Sequence, residues 1–431
     1  MLVYLESLGC RLNAAEIETL ARRFAGAGCS VVDAPEAADV IVFNSCAVTV
    51  AASRKTRQRL RQFHRQNPGA RIAVTGCWAT EDVARAGAFE GVAWVAPNEE
   101  KYRLPARVMG QQPSFEAPLP WSPGRWGHTR AFLAVQDGCD HACTYCVTRL
   151  LRGPAHSRPP AEVVAEAREM LAHSAREIVL TGVSLGSYGQ DFQDLDQAYS
   201  LAHLAESILD EMTHVEAQPG TERPRLRLSS VEPWDVDARL LRLLEHPRFC
   251  HQLHLPLQSG ADATLKRMGR RITTSQFAAL AEQARAIAPD VALTTDVIVG
   301  FPGESAMDFE ASLAFVERMA FSRLHVFPYS ERAGTAAIRL PDAVSPRVRK
   351  KRAARMRALG KRMAAAYRER FVGAMLPVLW ERQDARGRWH GWTDNYIAVI
   401  TPTTTDLYNR ITLTKLVAES GRAMRGEVVS A

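Results

Sequence analysis

The sequence lacks any apolar run approaching the roughly 18 residues that a membrane-spanning helix needs. Its first residues, MLVYLESLGC, also lack the basic start and apolar core of a secretory signal. No internal repeat and no low-complexity run is present. We therefore expect a chain that is neither secreted nor inserted in a membrane and that works in the cytoplasm.

The composition is that of a folded chain with a slight excess of positive charge. The 431 residues are 46% hydrophobic and 23% charged, which allows two or three domains. Lys and Arg number 54 against 47 Asp and Glu, a net charge of +7. Basic residues concentrate in residues 53–71 and 346–370. Either run alone fits a solvated helix face, but together they favour a polyanionic partner.

The order of apolar and amphipathic segments predicts three domains in an α/β chain. Residues 1–104 alternate short strands with helices, the pattern of a doubly wound parallel sheet. Residues 105–128 are rich in Pro and predict a linker. Residues 129–370 resume the alternation and predict a full or partial (βα) barrel that ends in the basic helical segment. Residues 371–431 switch to short strands rich in Val, Trp, Tyr and Thr, which predicts a small β-barrel.

The sharpest motif is a cysteine triplet directly after the strand AFLAVQ. Cys139, Cys143 and Cys146 have C-x3-C-x2-C spacing. In a reducing compartment such thiols are metal ligands or nucleophiles more often than disulfides. Three thiolates on one loop can hold a [4Fe–4S] cluster and leave one iron open to a chelating substrate. The alternative is a zinc site completed by His141 or His156.

Three further cysteines each follow a predicted strand of the first domain. They are Cys10, Cys46 and Cys77. The carboxyl ends of parallel strands share one edge of the sheet, so we expect these thiols to converge and to be able to hold a second cluster. The alternative is that they are small buried hydrophobes, as we expect for Cys29 and Cys250.

The triplet, with an aromatic residue before its third cysteine, resembles the signature of the radical S-adenosylmethionine (SAM) enzymes. The resemblance implies that SAM chelates the open iron and is cleaved by an electron from the cluster to methionine and a 5′-deoxyadenosyl radical. It also implies that Tyr145 lies beside the adenine, although Tyr145 could equally be a packing aromatic.

The motifs along nearly the whole chain resemble those of the methylthiotransferase family, whose tail is the small RNA-associated TRAM barrel. The matching segments are LGCRLN at 8–13, NSC at 44–46, TGC at 75–77, RG at 152–153, LTGV at 180–183, LSSVEP at 228–233, HLPLQSG at 254–260, DVIVGFPGE at 296–304 and GWTDNY at 391–396.

That resemblance implies two [4Fe–4S] clusters, SAM, a tRNA substrate, a flavodoxin- or ferredoxin-type reductant and a sulfur donor. One cluster makes the radical, the auxiliary cluster carries or activates sulfur, and a second SAM supplies the methyl group. The expected cluster ligands are Cys10, Cys46, Cys77, Cys139, Cys143 and Cys146. The expected contacts to SAM or substrate are Tyr145, Thr181, Gly182, Ser229, Glu232, Gln258 and Asp296, although strand ends such as these can also simply turn the chain.

The family offers three substrates: threonylcarbamoyladenosine in tRNA, isopentenyladenosine in tRNA, and an aspartate of a ribosomal protein. Residues 182–189 and 325–335 look most like the threonylcarbamoyladenosine subgroup. One departure is that Val147-Thr148-Arg149-Leu150-Leu151 lacks the proline that often follows the third cysteine, so substrate contacts there cannot be carried over.

Other functions stay open from the sequence alone. The chain could be a radical SAM enzyme that inserts no sulfur, or a non-catalytic, metal-bound RNA-binding protein. The aromatic residues Trp380, Trp389, Trp392 and Tyr396 could stack on bases or fill the small barrel.

Overall fold

The structure is a computed structural model that describes residues 1–110, 121–123, 129–193, 199–215 and 223–429. The strands are β1 (Leu2–Ser7), β2 (Ser30–Val32), β3 (Val40–Ser45), β4 (Arg71–Gly76), β5 (Val92–Ala96), β6 (Ala131–Ala134), β7 (Gln136–Asp137), β8 (His156–Ser157), β9 (Glu177–Thr181), β10 (Arg225–Leu228), β11 (Gln252–His254), β12 (Ala292–Val299), β13 (Arg323–Pro328), β14 (Met375–Gln383), β15 (Arg388–Thr393), β16 (Ala398–Pro402), β17 (Ile411–Ser420) and β18 (Ala423–Val428).

The helices are α1 (Arg11–Gly26), α2 (Val50–Gln66), α3 (Cys77–Glu81), α4 (Val83–Gly87), α5 (Leu104–Met109), α6 (Thr148–Arg152), α7 (Pro160–Ala172), α8 (Leu201–Thr213), α9 (Ala238–Arg242), α10 (Asp262–Arg267), α11 (Thr274–Ile287), α12 (Ala306–Met319) and α13 (Pro346–Glu369). In the described part of the chain, short 3₁₀ helices lie at Pro35–Ala37, Asn98–Arg103, Leu185–Ser187, Pro233–Asp235, Leu243–Glu245 and Ala336–Arg339. Across the described ranges, no helix combines the length and apolar character that a membrane crossing requires.

The N-terminal domain is a five-stranded parallel sheet in the order β2-β1-β3-β4-β5. Alternate residues of β3 point to opposite faces. Val40 and Val42 pack with α1 and α5, whereas Ile41 and Phe43 pack with α2 and α6. Helices therefore cover both faces, and the predicted doubly wound sheet is confirmed. Its strand order reverses between β1 and β3, where ligands bind at the carboxyl ends of such sheets.

The predicted linker 105–128 differs from the structure at its start. Residues Leu104–Met109 form α5, and Leu104 and Val108 are buried against the sheet. Pro105 does not break this helix, because it lies in the first turn, where a helix tolerates proline. Residues 111–120 and 124–128 lie outside the described part, so the domain boundary there stays a prediction.

The central domain is a partial barrel of six parallel strands. Two three-stranded sheets, β10-β9-β6 and β11-β12-β13, are joined by hydrogen bonds such as Val231 N to His254 O at 3.0 Å. Helix α1 of the N-terminal domain packs on one face of β6 and β9, through a contact of Ala15 with Phe132 and Val179. The basic segment forms α13, whose buried side packs on β13.

The C-terminal residues form a closed five-stranded barrel in the order β14-β15-β16-β18-β17, as the sequence predicts. Arg225 and Arg227, at the start of β10, donate to the backbone oxygens of Trp392 and Asp394 at 2.9 and 2.8 Å. Glu177, at the start of β9, accepts from both arginines. The small barrel therefore packs at the amino ends of the central strands, and their carboxyl ends stay available for a site.

Candidate functional site

The cysteine triplet lies on a loop that backbone hydrogen bonds fix on two sides. Cys139 N donates to Gly153 O at 3.1 Å, and Thr144 N donates to Met268 O at 3.0 Å. Cys146 N turns back to Cys143 O at 3.1 Å. The three thiols are therefore presented together at the carboxyl ends of the central strands.

Each thiol of the triplet has one nearby donor. His141 N lies 3.4 Å from Cys139 Sγ, Thr148 N lies 3.4 Å from Cys146 Sγ, and Arg270 Nη1 lies 3.8 Å from Cys143 Sγ. The pKa of the Cys139 thiol is raised to about 11, mainly by burial and in smaller part by the other two thiols. Burial also raises the pKa of the Cys146 thiol. The nearby donors favour the thiolate form that a metal requires.

The histidines of the zinc alternative have other partners. His141 Nε2 lies 3.1 Å from Ser184 Oγ and 3.8 Å from Asp235 Oδ2, and His156 Nδ1 lies 3.4 Å from Pro154 O. Within the described ranges, no three His, Cys, Asp or Glu side chains are gathered as a single metal ion requires. A cuboidal cluster places each cysteine on a different iron and so spaces its ligands more widely than one ion does. The all-thiol loop fits a cluster better than zinc.

The structure brings Cys10, Cys46 and Cys77 together at the carboxyl edge of the N-terminal sheet. Cys10 follows β1, Cys46 follows β3, and Cys77 begins α3 directly after β4. The first two loops approach so closely that a Cβ at Gly9 would lie 2.9 Å from Cys46 Cβ. Burial raises the pKa of the Cys46 thiol to about 11, and Cys77 and Cys10 add to that effect. By contrast Cys29 and Cys250 are buried elsewhere, as expected.

A buried ionic cluster connects the two groups of thiols. Arg152, on α6 beyond the triplet, donates to Asn13 Oδ1 at 2.9 Å and to Glu16 Oε1 at 2.8 Å. The Cys10 thiol lies 3.4 Å from the same Asn13 oxygen. Both Asn13 and Arg152 occur in the matching motifs, but no local sequence pattern indicated that they meet.

Gln136 connects the triplet loop to the turn that contains Thr181 and Gly182. Its Nε2 donates to Gly138 O at 2.9 Å, and its Oε1 accepts from the backbone N of Ser184 at 2.8 Å. Gly182 packs directly on this side chain, since a Cβ there would lie 2.9 Å from Gln136 Oε1. The Thr181 hydroxyl bonds to its own strand, at 3.3 Å from Val179 O. Sequence reasoning missed Gln136.

Ser229 and Glu232, which both follow β10, differ in their hydrogen bonding. The Ser229 hydroxyl is buried and, among the described residues, has no hydrogen-bond partner. Glu232 holds Arg270 with two bonds of 3.1 and 2.5 Å. Arg270 is the donor to Cys143 and lies over the Trp234 ring at 4.3 Å. The unpaired hydroxyl is thus free to meet a ligand, whereas the carboxylate fixes a cation beside the thiols.

Asp296 lies on β12, and Gln258 follows β11 and forms an isolated bridge with Val297 of β12. Asp296 Oδ1 lies 3.4 Å from His254 Nε2 and 3.8 Å from His325 Nδ1. Burial lowers the pKa of His325, against the opposing charge of Asp296. Gln258 has a φ of 71° and donates its backbone N to Asp296 O at 2.8 Å. The carboxylate is therefore held between two imidazoles inside the barrel.

Tyr145 and α6 pack into different domains. The Tyr145 ring stands edge-on to Phe301 at 6.4 Å. Where the family often has proline, this chain forms α6, and Val147 and Leu151 enter the core of the N-terminal domain beside Phe43 and Trp78. The residues that replace the proline therefore form part of the contact between the N-terminal and central domains.

The four aromatic residues of the tail are used in packing. Trp380 and Trp389 are buried in the small barrel. Trp392 and Tyr396 stack at 4.9 Å and lie against Arg130, and the Tyr396 hydroxyl accepts from Arg11 at 2.9 Å. The structure therefore confirms the role of filling the small barrel for Trp380 and Trp389. Trp392 and Tyr396 line the groove between the central and C-terminal domains, so their stacking on bases stays a prediction.

A groove of about 860 Å³ runs between β13, α13 and the small barrel. Its lining includes the basic residues Arg323, Arg357, Lys361, Arg368 and Arg422, and the acid Glu419, which pairs with Arg368 at 2.9 Å. Elsewhere on α13, four arginines pair with glutamates: Arg349, Arg352, Arg355 and Arg362. Part of the basic run is therefore neutralised within the chain, and the lining of the groove carries five basic residues against one acid.

Two family models match the chain. One, described as "Uncharacterized protein family UPF0004", covers residues 2–95, and the other, the Radical SAM superfamily, covers residues 133–316. Together they cover the two regions that carry the cysteines.

Curated relatives match over nearly the full length. A Bacillus subtilis protein named threonylcarbamoyladenosine tRNA methylthiotransferase MtaB is 34% identical and matches 96% of this chain and 93% of its own length. A Thermotoga maritima protein of the same name is 34% identical, over 92% and 90%. A Geobacillus thermodenitrificans protein named tRNA-2-methylthio-N(6)-dimethylallyladenosine synthase is 32% identical, over 88% and 73%.

Among solved structures, the radical SAM methyltransferase TsrM from Kitasatospora setae superposes with a TM-score of 0.54 at 15% identity. The likeness covers 76% of this chain and 74% of that chain. At this identity it concerns the fold alone.

Proposed function

Because the chain belongs to the radical SAM methylthiotransferase family, we propose that it replaces the C2 hydrogen of N6-threonylcarbamoyladenosine, beside the anticodon of tRNA, with a methylthio group. The observation that carries the proposal is the pair of thiol groups joined through Arg152 and Asn13. A reaction that forms two C–S linkages needs both a radical source and a sulfur carrier, and the chain provides one thiol group for each.

The residues divide between the two proposed centres. Cys139, Cys143 and Cys146 hold the cluster that binds SAM, and Cys10, Cys46 and Cys77 hold the auxiliary cluster. When bound, the clusters and SAM supply the electron transfer and the radical chemistry at carbon.

Around the first centre the chain orients the cofactor and excludes water. Gln136 fixes the turn at Gly182, Arg270 places a positive charge at Cys143, and the Ser229 hydroxyl is free to bond to SAM. Tyr145 and Phe301 form an apolar wall on one side of the loop.

The choice of substrate rests on the relatives and on two segments of this chain. Relatives named for threonylcarbamoyladenosine match at up to 36% identity, and those named for dimethylallyladenosine at 32%. Residues 182–189 and 325–335 agree with the first group. Dimethylallyladenosine is therefore the second candidate.

The cationic groove is the proposed binding surface for the tRNA backbone. Arg323, Lys361 and Arg422 have no carboxylate partner among the described residues. Backbone phosphates of an RNA would supply the missing negative charge and release counterions on binding. Trp392 and Tyr396 line the same groove and place aromatic rings beside the proposed phosphate contacts.

The reaction also requires two further components. Reductive cleavage of SAM needs a low-potential electron, and we assign it to a flavodoxin- or ferredoxin-type reductant. Each product carries away one sulfur atom, so a sulfur donor must restore it. The site of action is the cytoplasm, where tRNA is modified.

Nucleoside mass spectrometry of tRNA tests the proposal. Cells that lack this protein should lose the methylthio group on threonylcarbamoyladenosine and keep the unmodified precursor. Wild-type protein should restore the mark, and a Cys139→Ala/Cys143→Ala variant should not. Loss of the methylthio group on dimethylallyladenosine alone would identify the second candidate instead, and an unchanged nucleoside profile would refute both.

A further inference from the structure

Arg152 is a cation of the central domain that lies inside the N-terminal one. It ends α6, and its side chain is only 1% exposed. Nη1 donates to Glu16 Oε1 and Asp137 Oδ1, both at 2.8 Å, and Nη2 donates to Asn13 Oδ1 at 2.9 Å. Removing a charge from water costs several kcal/mol unless it is well paired, so such a site is retained only with a compensating arrangement.

A second buried cation completes that arrangement. Lys101 is 4% exposed, bonds to Glu16 and lies 3.3 Å from Asp137. Glu16 also accepts from Asn44 at 2.9 Å. Two positive groups, Arg152 and Lys101, thus face two negative groups, Glu16 and Asp137. The cluster is neutral only while all four are present.

This neutral cluster lies directly against the N-terminal thiols. Asn13 Oδ1 accepts from Arg152 and lies 3.4 Å from Cys10 Sγ, and Asn13 Nδ2 donates to Ser45 O, the residue before Cys46, at 3.2 Å. Asn98 lies 3.8 Å from Cys77 Sγ and donates to Leu151 O, the residue before Arg152, at 2.9 Å. All three thiol loops are therefore connected to α6 through one or two hydrogen bonds.

We infer that Arg152 is a positioning residue that holds the N-terminal thiol site against α6 and sets the reduction potential of the iron–sulfur group bound there. The inference rests on the cluster assignment made under Proposed function. Without the guanidinium, Glu16 and Asp137 face Lys101 alone, which leaves one uncompensated negative charge beside the thiolates. A negative charge opposes the addition of an electron, so the potential falls.

The test isolates the N-terminal site by using the full chain with Cys139, Cys143 and Cys146 replaced by Ala. Iron content and a redox titration followed by electron paramagnetic resonance are measured on the reconstituted protein. In this background Arg152→Gln should shift the midpoint potential to a more negative value. Arg152→Lys, which keeps the charge, and the double change Arg152→Gln/Glu16→Gln, which restores neutrality, should both return it toward the parent value.

Arg22→Gln is the matched control. Arg22 is 8% exposed and pairs with Glu166 of the central domain at 3.0 Å, so it also links α1 across the domain contact, but no thiol contacts it. Its replacement should leave the potential unchanged. If Arg152 had a purely structural role, Arg152→Gln and Arg22→Gln would have similar stabilities and similar midpoint potentials.

The outcomes separate the inference from the function on which it rests. If the parent background binds no iron, the cluster assignment fails and the inference fails with it. If the parent binds iron and Arg152→Gln has the same potential, only the inference is overturned. If Arg152→Gln loses iron, recovery in both Arg152→Lys and the double variant supports the inference, and a double variant that stays without iron overturns it.

Discussion

At the scale of single residues, the backbone at Gly138 determines where the first cysteine of the triplet lies. Gly138 has a φ of 71°, and a Cβ there would lie 1.8 Å from Pro154 O. Backbone atoms cannot yield as a flexible side chain can. The position therefore requires glycine for its conformation and for space.

Gly138→Ala should displace the triplet loop. We expect a loss of stability of more than about 2 kcal/mol and loss of iron from a chain whose N-terminal thiols are replaced by Ala. Iron analysis and urea denaturation measure the two effects. Gly110→Ala is the control, since Gly110 has a φ of 65° and, among the described residues, no atom lies within 4 Å of its added Cβ. It should cost about 1–2 kcal/mol and keep the iron; equal effects of the two changes would contradict the steric argument.

Tyr396 makes stability depend on pH in the alkaline range. Burial raises its pKa, but Arg11, Arg130 and Arg227 outweigh burial and lower the pKa to about 8. The pKa of a tyrosine in an unfolded chain is about 10. The pKa of Tyr396 is lower in the folded state than in the unfolded state. The ionised side chain therefore stabilises the folded state fully above about pH 10, and this stabilisation is lost as the pH falls through about 8.

The free energy of unfolding of wild-type protein should therefore rise by up to about 2–3 kcal/mol relative to Tyr396→Phe between these pH values. Urea denaturation at a series of pH values measures the difference, and ultraviolet absorbance of the phenolate reports the titration itself. Parallel pH profiles for the two proteins would show that the three arginines do not act on this hydroxyl.

At the scale of elements, α6 connects the loop of the cysteine triplet to the N-terminal domain. Leu151, on the N-terminal core side, is 7% exposed, whereas its neighbour Leu150 is 60% exposed. Leu151→Ala should cost about 2–5 kcal/mol of stability, because it leaves a cavity beside Phe43 and Trp78. Leu150→Ala, a change of the same size on the same helix, should cost less than about 0.5 kcal/mol. If Leu151→Ala and Leu150→Ala had the same unfolding midpoint in urea, α6 would not be part of the core.

The strands and long helices could be predicted from the sequence because their apolar periodicity is local. α5 could not, since Pro105 resembles a helix breaker, and only the burial of Leu104 and Val108 shows that it starts a helix. The convergence of Cys10 and Cys46 followed from the parallel sheet. Their ligand roles stay predictions.

The supporting residues of the site could not be predicted for a different reason. Arg152 lies 139 positions from Asn13, and Arg270 lies 127 positions from Cys143. No periodicity or spacing connects residues so far apart. Gln136 gave a weak signal, as the last residue of the predicted strand AFLAVQ directly before the triplet, but its partner Ser184 lies in the turn after β9.

At the scale of the whole molecule, the groove joins the central and C-terminal domains into one charged surface. Lys361 comes from α13 and Arg422 from the turn before β18, so neither domain forms the groove alone. Binding that depends on both should depend on salt, because each phosphate that is neutralised releases counterions.

Lys361→Glu/Arg422→Glu should weaken binding of unmodified tRNA by roughly tenfold or more, and it should lower the slope of log affinity against log salt by about 1 for each phosphate that the variant no longer neutralises. Fluorescence anisotropy at several salt concentrations measures both. Arg386→Glu, in the exposed turn between β14 and β15, is the control and should change neither quantity. If the control lowers the slope as much as the double variant, net charge rather than the groove governs binding.

The short helix that carries Leu151 and Arg152 also limits how such chains can be recombined. It belongs to the central domain by sequence, yet its apolar residues and its cation are buried in the N-terminal one. A chimera that takes its first hundred or so residues from a relative would therefore pack its two domains poorly. It would also need that relative's α6 and the partners of Arg152. In evolutionary terms, the sheet and the loop that follows the triplet must change together, as one inherited unit.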